Sequence, residues 1–144
     1  MTNRELDNMK PSERDIDIMT ASYLETAEWA DKPEESEVYA EFDIHSGRQA
    51  RADCESFAYA THPWLCGDCE TDGTIIDWER AGHNFYLSRC GHGAGFFDCD
   101  LVKPYGDLLQ AKAQKYGAIH YAEYQIGDLN SGEPESDDWL IELA

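Results

Sequence analysis

The sequence predicts an α+β fold: one two-layer domain in which about three helices cover an antiparallel sheet of about three to four strands. Three observations carry this. Two stretches of the N-terminal half repeat apolar residues at three- and four-residue steps, the spacing of a buried helix face. The C-terminal half holds short β-favouring runs in adjacent pairs joined by tight, glycine-containing turns. The chain has 144 residues, 42% of them hydrophobic, enough for one core and about one domain. Residues 1–144 therefore form a single domain in this reading, with 1–12 as a flexible N-terminal segment.

The first helix lies in "PSERDIDIMTASYLETAEWADKPEES". Ser12 and Asp15 have capping-box spacing, and Ile16, Met19, Tyr23, Ala27 and Ala30 form one apolar stripe. Pro33 ends it, because proline lacks a donor and restricts Lys32. After the acidic loop "DKPEESE", a second helix follows "DIHSG", with Ser46 as N-cap, Ala50, Cys54, Phe57 and Ala58 on its inner face, and Pro63 as its stop. "TIIDWERAG" adds a short helical turn.

"NFYLSR" and "GFFD" read as two strands of a hairpin around the glycine-rich "CGHGA". "PYGDLLQAKAQKYG" is a third helix, with Leu108, Leu109 and Ala113 toward the core, Lys112 and Lys115 near its C-terminal end, and Gly117 as its left-handed stop. "AIHYAEYQIGD" is the clearest strand and breaks at Gly127. "LNSGEPES" is a turn and "DDWLIELA" the last strand.

Thirty acidic and eleven basic residues give a net charge of −19, spread as −9 over residues 1–44, −4 over 45–103 and −6 over 104–144. That balance argues against direct nucleic-acid binding, which needs Lys and Arg contacts to phosphate, and against an anionic membrane surface. A basic partner is attracted instead. Two acidic clusters stand out: Glu34, Glu35, Glu37, Glu41 and Asp43, and Glu133, Glu135, Asp137 and Asp138. Carboxylates held on a rigid surface at phosphate-like spacing can fill a basic DNA-binding groove. No stretch approaches a membrane span, and "MTNRELDNMKPSERD" lacks the apolar region of a secretory signal. Five cysteines, an odd number, suit a reducing cytosol.

The stretch "AGHNFYLSRCGHGAGFFDCD" concentrates the chemistry. Cys66 and Cys69 with Cys90 and His92 would make a Cys₃His zinc site, but Cys-x-His is not the usual second half. Acidic neighbours Asp68, Glu70 and Asp72 disfavour redox use of Cys66 and Cys69. Cys90, His92 and Asp98 are the residue types of a nucleophilic set, without sequence-level geometry. Gly91, Gly93 and Gly95 lack dinucleotide-loop spacing, and serve a turn instead. No metal or cofactor is assigned on this basis.

The same stretch resembles a signature of small uncharacterised proteins from tailed bacteriophages, of the form A-G-H-D-F-W-L-T-R-N-G-H-G-A-G-F-W-D-R. It matches at Ala81, Gly82, His83, Phe85, Leu87, Arg89, Gly91, His92, Gly93, Ala94, Gly95, Phe96 and Asp98. "SYLETAEWA" is similar to the family's Y-I-E-T-A-L-W-S, and "ARADCESF" to its M-R-A-D-C-E-x-F. The family has Asn at the position of Cys90 and Arg at that of Cys99, which lowers the cysteine-based readings. The resemblance implies a phage gene acting in the host cytoplasm and carries no agreed activity.

The expected function is that of an acidic, non-enzymatic binding protein. It would engage and inhibit a basic, nucleic-acid-binding host protein of the defence or replication machinery, with DNA mimicry as its sharpest form. The alternatives are a small enzyme or zinc-stabilised accessory protein using His83, Arg89, His92 and Asp98 of the hairpin, and a virion or replication accessory protein.

Overall fold

Ser12 opens the first helix with a reciprocal pair of hydrogen bonds. Its hydroxyl accepts the Asp15 N–H at 3.1 Å, and the Asp15 carboxylate accepts the Ser12 N–H at 2.9 Å. The computed structural model describes residues 10–36, 40–65, 76–96, 105–127 and 134–144, with backbone alone for 126–127 and 134–138. Helix α1 spans Glu13–Asp31 and stops at Lys32, whose extended backbone is what the following Pro33 demands. Four residues of the expected stripe, Ile16, Met19, Tyr23 and Ala27, are closed to solvent, and the fifth, Ala30, is partly buried against the core.

Strand β1, Ala40–Phe42, is followed by α2, Ile44–Leu65. The helix begins before Ser46, which is not its N-cap. Asp43 does that work, its carboxylate accepting the Ser46 N–H at 2.7 Å. The Ser46 hydroxyl is buried and accepts the Leu143 N–H at 2.9 Å, tying the helix to the sheet. Pro63 sits inside the last turn rather than ending it, and burial of Leu65 holds the two residues beyond it in place. The expected inner face of Ala50, Cys54, Phe57 and Ala58 is buried.

The largest correction concerns the expected hairpin. Trp78–Cys90 is a helix, α3. Asp77 caps it, accepting the Arg80 N–H at 3.0 Å, and Gly91 ends it in the left-handed conformation at φ 70°. "NFYLSR" is thus helical, and no strand begins at Phe96, whose N–H bonds the Ser88 hydroxyl at 3.0 Å. Phe97 and Asp98 of "GFFD" and the segment after it, to residue 104, lie outside the described residues. The β preference of Phe85 and Tyr86 yields to packing, because both rings are fully buried between neighbouring helices. Gly82 makes this possible. A Cβ there would overlap the Met19 carbonyl, so α3 can press against α1 only at a glycine.

Helix α4, Tyr105–Gln114, buries Leu109 and Ala113 but leaves Leu108 39% exposed, against expectation. Gly117, at φ 78°, turns the chain out of it. Strands β2, Tyr121–Gly127, and β3, Pro134–Leu143, pair antiparallel, with Glu123 opposite Ile141. The sheet order is β1-β3-β2, and β1 runs parallel to β3, with Ala40 opposite Trp139. The sheet is therefore mixed rather than antiparallel. Its β1–β3 contact joins segments about a hundred residues apart, beyond the reach of any turn signal.

The helices pack on one another and meet the sheet through α2 against β3 and α1 against β2. Phe57 lies at the centre, stacked on Phe85 at 4.2 Å and on Phe96 at 5.6 Å. Tyr23 meets Phe85 at 5.4 Å and Tyr86 at 5.2 Å. Full burial of one such ring contributes roughly 1.5–3 kcal/mol. Among the described residues, no helix is long and apolar enough to cross a membrane.

Candidate functional site

The close α1–α3 crossing leaves a cleft of about 630 Å³ along its edge. Helix α1 lines it with Ser22, Glu25, Thr26 and Trp29, and α3 and its cap with Asp77, Glu79, Arg80 and His83. These are the residues flanking each helix's buried stripe, so one turn of each helix both packs and presents polar groups. The Thr26 hydroxyl donates to the Ser22 carbonyl at 2.7 Å. Its single proton is therefore used, and the His83 Nδ1–H must donate to the Thr26 oxygen at 2.9 Å. Nε2 is then the acceptor of the neutral ring. Trp29 leans on His83 at 5.8 Å yet stays 74% exposed. Three carboxylates, one guanidinium and an open indole make this a surface suited to a cationic side chain.

Arg89 occupies a different place. It is buried, and its guanidinium donates to Asp53 at 2.9 Å, to the Tyr23 hydroxyl at 3.0 Å, to the Gly117 carbonyl at 2.8 Å and to the Tyr116 carbonyl at 2.9 Å. It also lies over the Phe85 and Tyr116 rings. Burial works against its charge, but Tyr23 and Asp53 outweigh that, and its pKa stands above the ordinary value. These four bonds run from α3 to two other helices and a turn, so Arg89 holds α1, α2, α3 and the 116–117 turn together. Burial pushes the Tyr23 hydroxyl well up as well, with Arg89 opposing.

His92 goes to a third place. Its Nε2 lies 3.0 Å from the nearer carboxylate oxygen of Asp31, and the Tyr86 hydroxyl donates to that same carboxylate. The Cys90 thiol is close by, its proton held by burial above the usual range even though hydrogen bonding with the Ile119 backbone and with Tyr86 works against that. Cys54 is buried and pushed up to about 12 by burial. Neither thiol is set to ionise at neutral pH, which weighs against a cysteine nucleophile at either position. The acid facing His92 is Asp31, while Asp98 lies outside the described residues.

The residues grouped in sequence as one signature hairpin are thus dispersed: His83 to the cleft, Arg89 to the interior, His92 to the C-terminal end of α1. Gly91 and Gly93 have positive φ with open space around them, and Gly95, at φ 133°, approaches Ser88 too closely to carry a side chain. Cys66 and Cys69 lie outside the described residues.

Of the first acidic cluster, Glu34 and Glu35 are exposed in the turn after α1, Glu41 is exposed on β1, and Asp43 is committed to structure. Burial raises the Asp43 pKa, but the Ser46 N–H and hydroxyl and the Tyr124 hydroxyl outweigh it, and the net shift is downward. Glu37 and Glu133 lie outside the described residues. Glu135, Asp137 and Asp138 lie on the first half of β3. The parallel register pairs β1 with the residues that follow that half, Ala40 opposite Trp139 and Phe42 opposite Ile141, and the Ser36 hydroxyl ties the turn after α1 to Glu123 of β2 at 2.7 Å. Among the described residues, Glu41 of the first cluster shares one sheet with Glu135, Asp137 and Asp138 of the second, while Glu34 and Glu35 lie in the turn after α1.

Sequence patterns did not point to Asp31, Asp53, Glu25 or Trp29 as partners of the signature residues. Each lies on a helix distant in sequence, and the available signal was the polar edge of the α1 stripe.

Comparison of the chain with protein-family models, with curated proteins and with solved structures returns no match.

Proposed function

We propose that the chain is a phage-encoded, acidic, non-enzymatic binding protein of the host cytoplasm. It engages and inhibits a basic, nucleic-acid-binding host protein of the defence or replication machinery by mimicking DNA. The observation that carries this is the pairing of neighbouring strands β1 and β3, which puts Glu41 in one sheet with Glu135, Asp137 and Asp138, with exposed Glu34 and Glu35 in the turn after α1. Anionic groups gathered on a rigid element attract a basic groove as a phosphate backbone does. The cleft beside Trp29 supports the same reading, offering an aromatic face and three carboxylates to a protruding Arg or Lys. So does the dispersal of His83, Arg89 and His92, which leaves them in no common catalytic arrangement. The three stretches that resemble the phage family meet in space: Thr26 with His83, and Tyr23 with Arg89 and Asp53.

The test is affinity capture from host lysate with the tagged chain. A basic nucleic-acid-binding protein should be retained, released as salt rises, and displaced by duplex DNA. A chain carrying Glu34→Gln, Glu35→Gln, Glu41→Gln, Glu135→Gln, Asp137→Asn and Asp138→Asn should lose it. Capture insensitive to salt and DNA would overturn mimicry, and recovery of no basic protein would overturn the whole reading.

A further inference from the structure

The C-terminal ends of α1 and α3 are brought together by one left-handed step. Gly91 takes φ 70°, and the His92 N–H bonds back to the Leu87 carbonyl at 3.2 Å. That fold-back carries the His92 ring across to Asp31, the last residue of α1. A carboxylate oxygen of Asp31, the Cys90 Sγ and a ring nitrogen of His92 all lie within 4.8 Å of one another. Nε2 is 3.0 Å from Oδ1 and 3.1 Å from Oδ2.

Around a tetrahedral ion with a sulfur at about 2.3 Å and nitrogen or oxygen at about 2.0–2.1 Å, neighbouring donors stand roughly 3.2–3.6 Å apart. The imidazole–carboxylate pair already has nearly that separation, and a shift of no more than roughly 1.5 Å in the Cys90 Sγ completes the triangle. One thiolate, one imidazole and one carboxylate form a borderline-soft set that favours zinc over magnesium or calcium. The three side chains come from two helix ends, Asp31 and Cys90 part-buried and His92 exposed, so an ion can reach them from solvent.

Two further contacts orient the donors. The Tyr86 hydroxyl donates to Oδ2 of Asp31, the kind of outer hydrogen bond that fixes a ligating carboxylate. The Tyr86 ring stacks on His92 at 6.1 Å with planes 22° apart.

We propose that Asp31, Cys90 and His92 form a binding site for a divalent ion of the zinc class, with the fourth position left to water. Binding breaks the Cys90 S–H bond, forms the metal–sulfur bond and releases the proton to buffer. The ion then bridges the ends of α1 and α3. The site is independent of the acidic sheet and of any partner bound there.

The probe is Co²⁺ added to the reduced, chelator-treated full chain. One equivalent should give a thiolate-to-cobalt band in the near ultraviolet and the visible bands of a tetrahedral ion, both displaced by Zn²⁺. The signal should persist in a Cys66→Ser/Cys69→Ser variant and vanish in Cys90→Ser. Affinity should fall at least tenfold in His92→Ala and in Asp31→Asn. Zn²⁺ should raise the melting temperature of the parent chain and not that of His92→Ala, with circular dichroism showing each variant folded without metal. Absence of the thiolate band, or a band that survives Cys90→Ser and disappears in Cys66→Ser/Cys69→Ser, overturns the proposal.

Discussion

Arg89 and Asp53 form an ion pair 2.9 Å long that is largely withdrawn from water, the two side chains being 5% and 19% exposed. Removing one partner strands the other charge, and for a buried pair this costs about 3–5 kcal/mol. Asp53→Asn should fall near the low end, because Tyr23 and the Tyr116 and Gly117 carbonyls still hold the guanidinium. Arg89→Met should cost more, since it orphans both carbonyls as well. Urea unfolding reads both as lower midpoints at unchanged slope. The double variant Asp53→Asn/Arg89→Met should lose less than the sum of the two. An unshifted midpoint for Asp53→Asn would show that the pair contributes nothing.

Gly82 sets two rules against each other. In the middle of a helix, Gly→Ala gains about 1 kcal/mol of propensity. Here the added Cβ meets the backbone of Met19 and Tyr23 rather than a mobile side chain. Backbone cannot rotate away, and overpacking of that kind costs about 1–3 kcal/mol, at the upper end when helices must separate. Gly82→Ala should therefore destabilise by roughly 2 kcal/mol net. A thermal melt shifted upward would mean the α1–α3 crossing is looser than described.

The same glycine explains why so much of α3 was illegible. Ile16, Met19, Tyr23 and Ala27 announced α1 by their period, and Ser12 with Asp15 announced its start. In "AGHNFYLSRCGHG" nearly every position from Phe85 to Arg89 is buried, so no apolar–polar alternation marks a helix face. Aromatic residues and flanking glycines then imitate a hairpin. Gly91, read as a turn residue, is instead a helix stop, a role that local sequence does not distinguish from the first. The parallel contact of β1 with β3 was hidden for another reason. Three residues carry too little pattern, and their partner lies at the far end of the chain. For the cleft and the metal cluster, residue types were visible but partners were not. His92 was matched with Asp98, six residues away, because sequence proximity is all a single chain offers. The fold matched it with Asp31.

Buried weak acids give the chain an alkaline limit. Burial pushes the Cys54 thiol from 9.0 up to about 12, and it pushes Tyr121 from 10.0 up to about 12, with Glu123 and Glu28 adding to the effect. Both groups ionise more readily in the unfolded chain than in the folded one. Their contribution is fully present below pH 9 and is lost as pH rises toward 12. Urea midpoints should be flat between about pH 7 and about pH 8.5 on this account and fall progressively above it. Cys54→Ala should start lower, having lost buried volume, but decline less steeply from pH 9. An equal slope for parent and variant would remove Cys54 from the explanation. Native Cys54 should also resist thiol reagents until the chain unfolds.

Trp29 separates binding from folding. At 74% exposure it makes little of the core, so Trp29→Ala should change stability by no more than about 0.5 kcal/mol. If a partner's cationic side chain docks in the cleft, the same change removes an aromatic anchor of the kind that carries about 2 kcal/mol or more. That corresponds to roughly a thirtyfold loss of affinity. The salt dependence tells the two parts of the interface apart. Neutralising Glu34, Glu35 and Glu41 should flatten the dependence of affinity on salt and slow association, because those charges act at long range. Trp29→Ala should keep the slope and speed dissociation instead, because an indole acts only in contact. Titration of the captured partner at several salt concentrations measures both. A Trp29→Ala chain that binds as tightly as its parent would place the contact wholly on the acidic sheet and leave the cleft without a part in it.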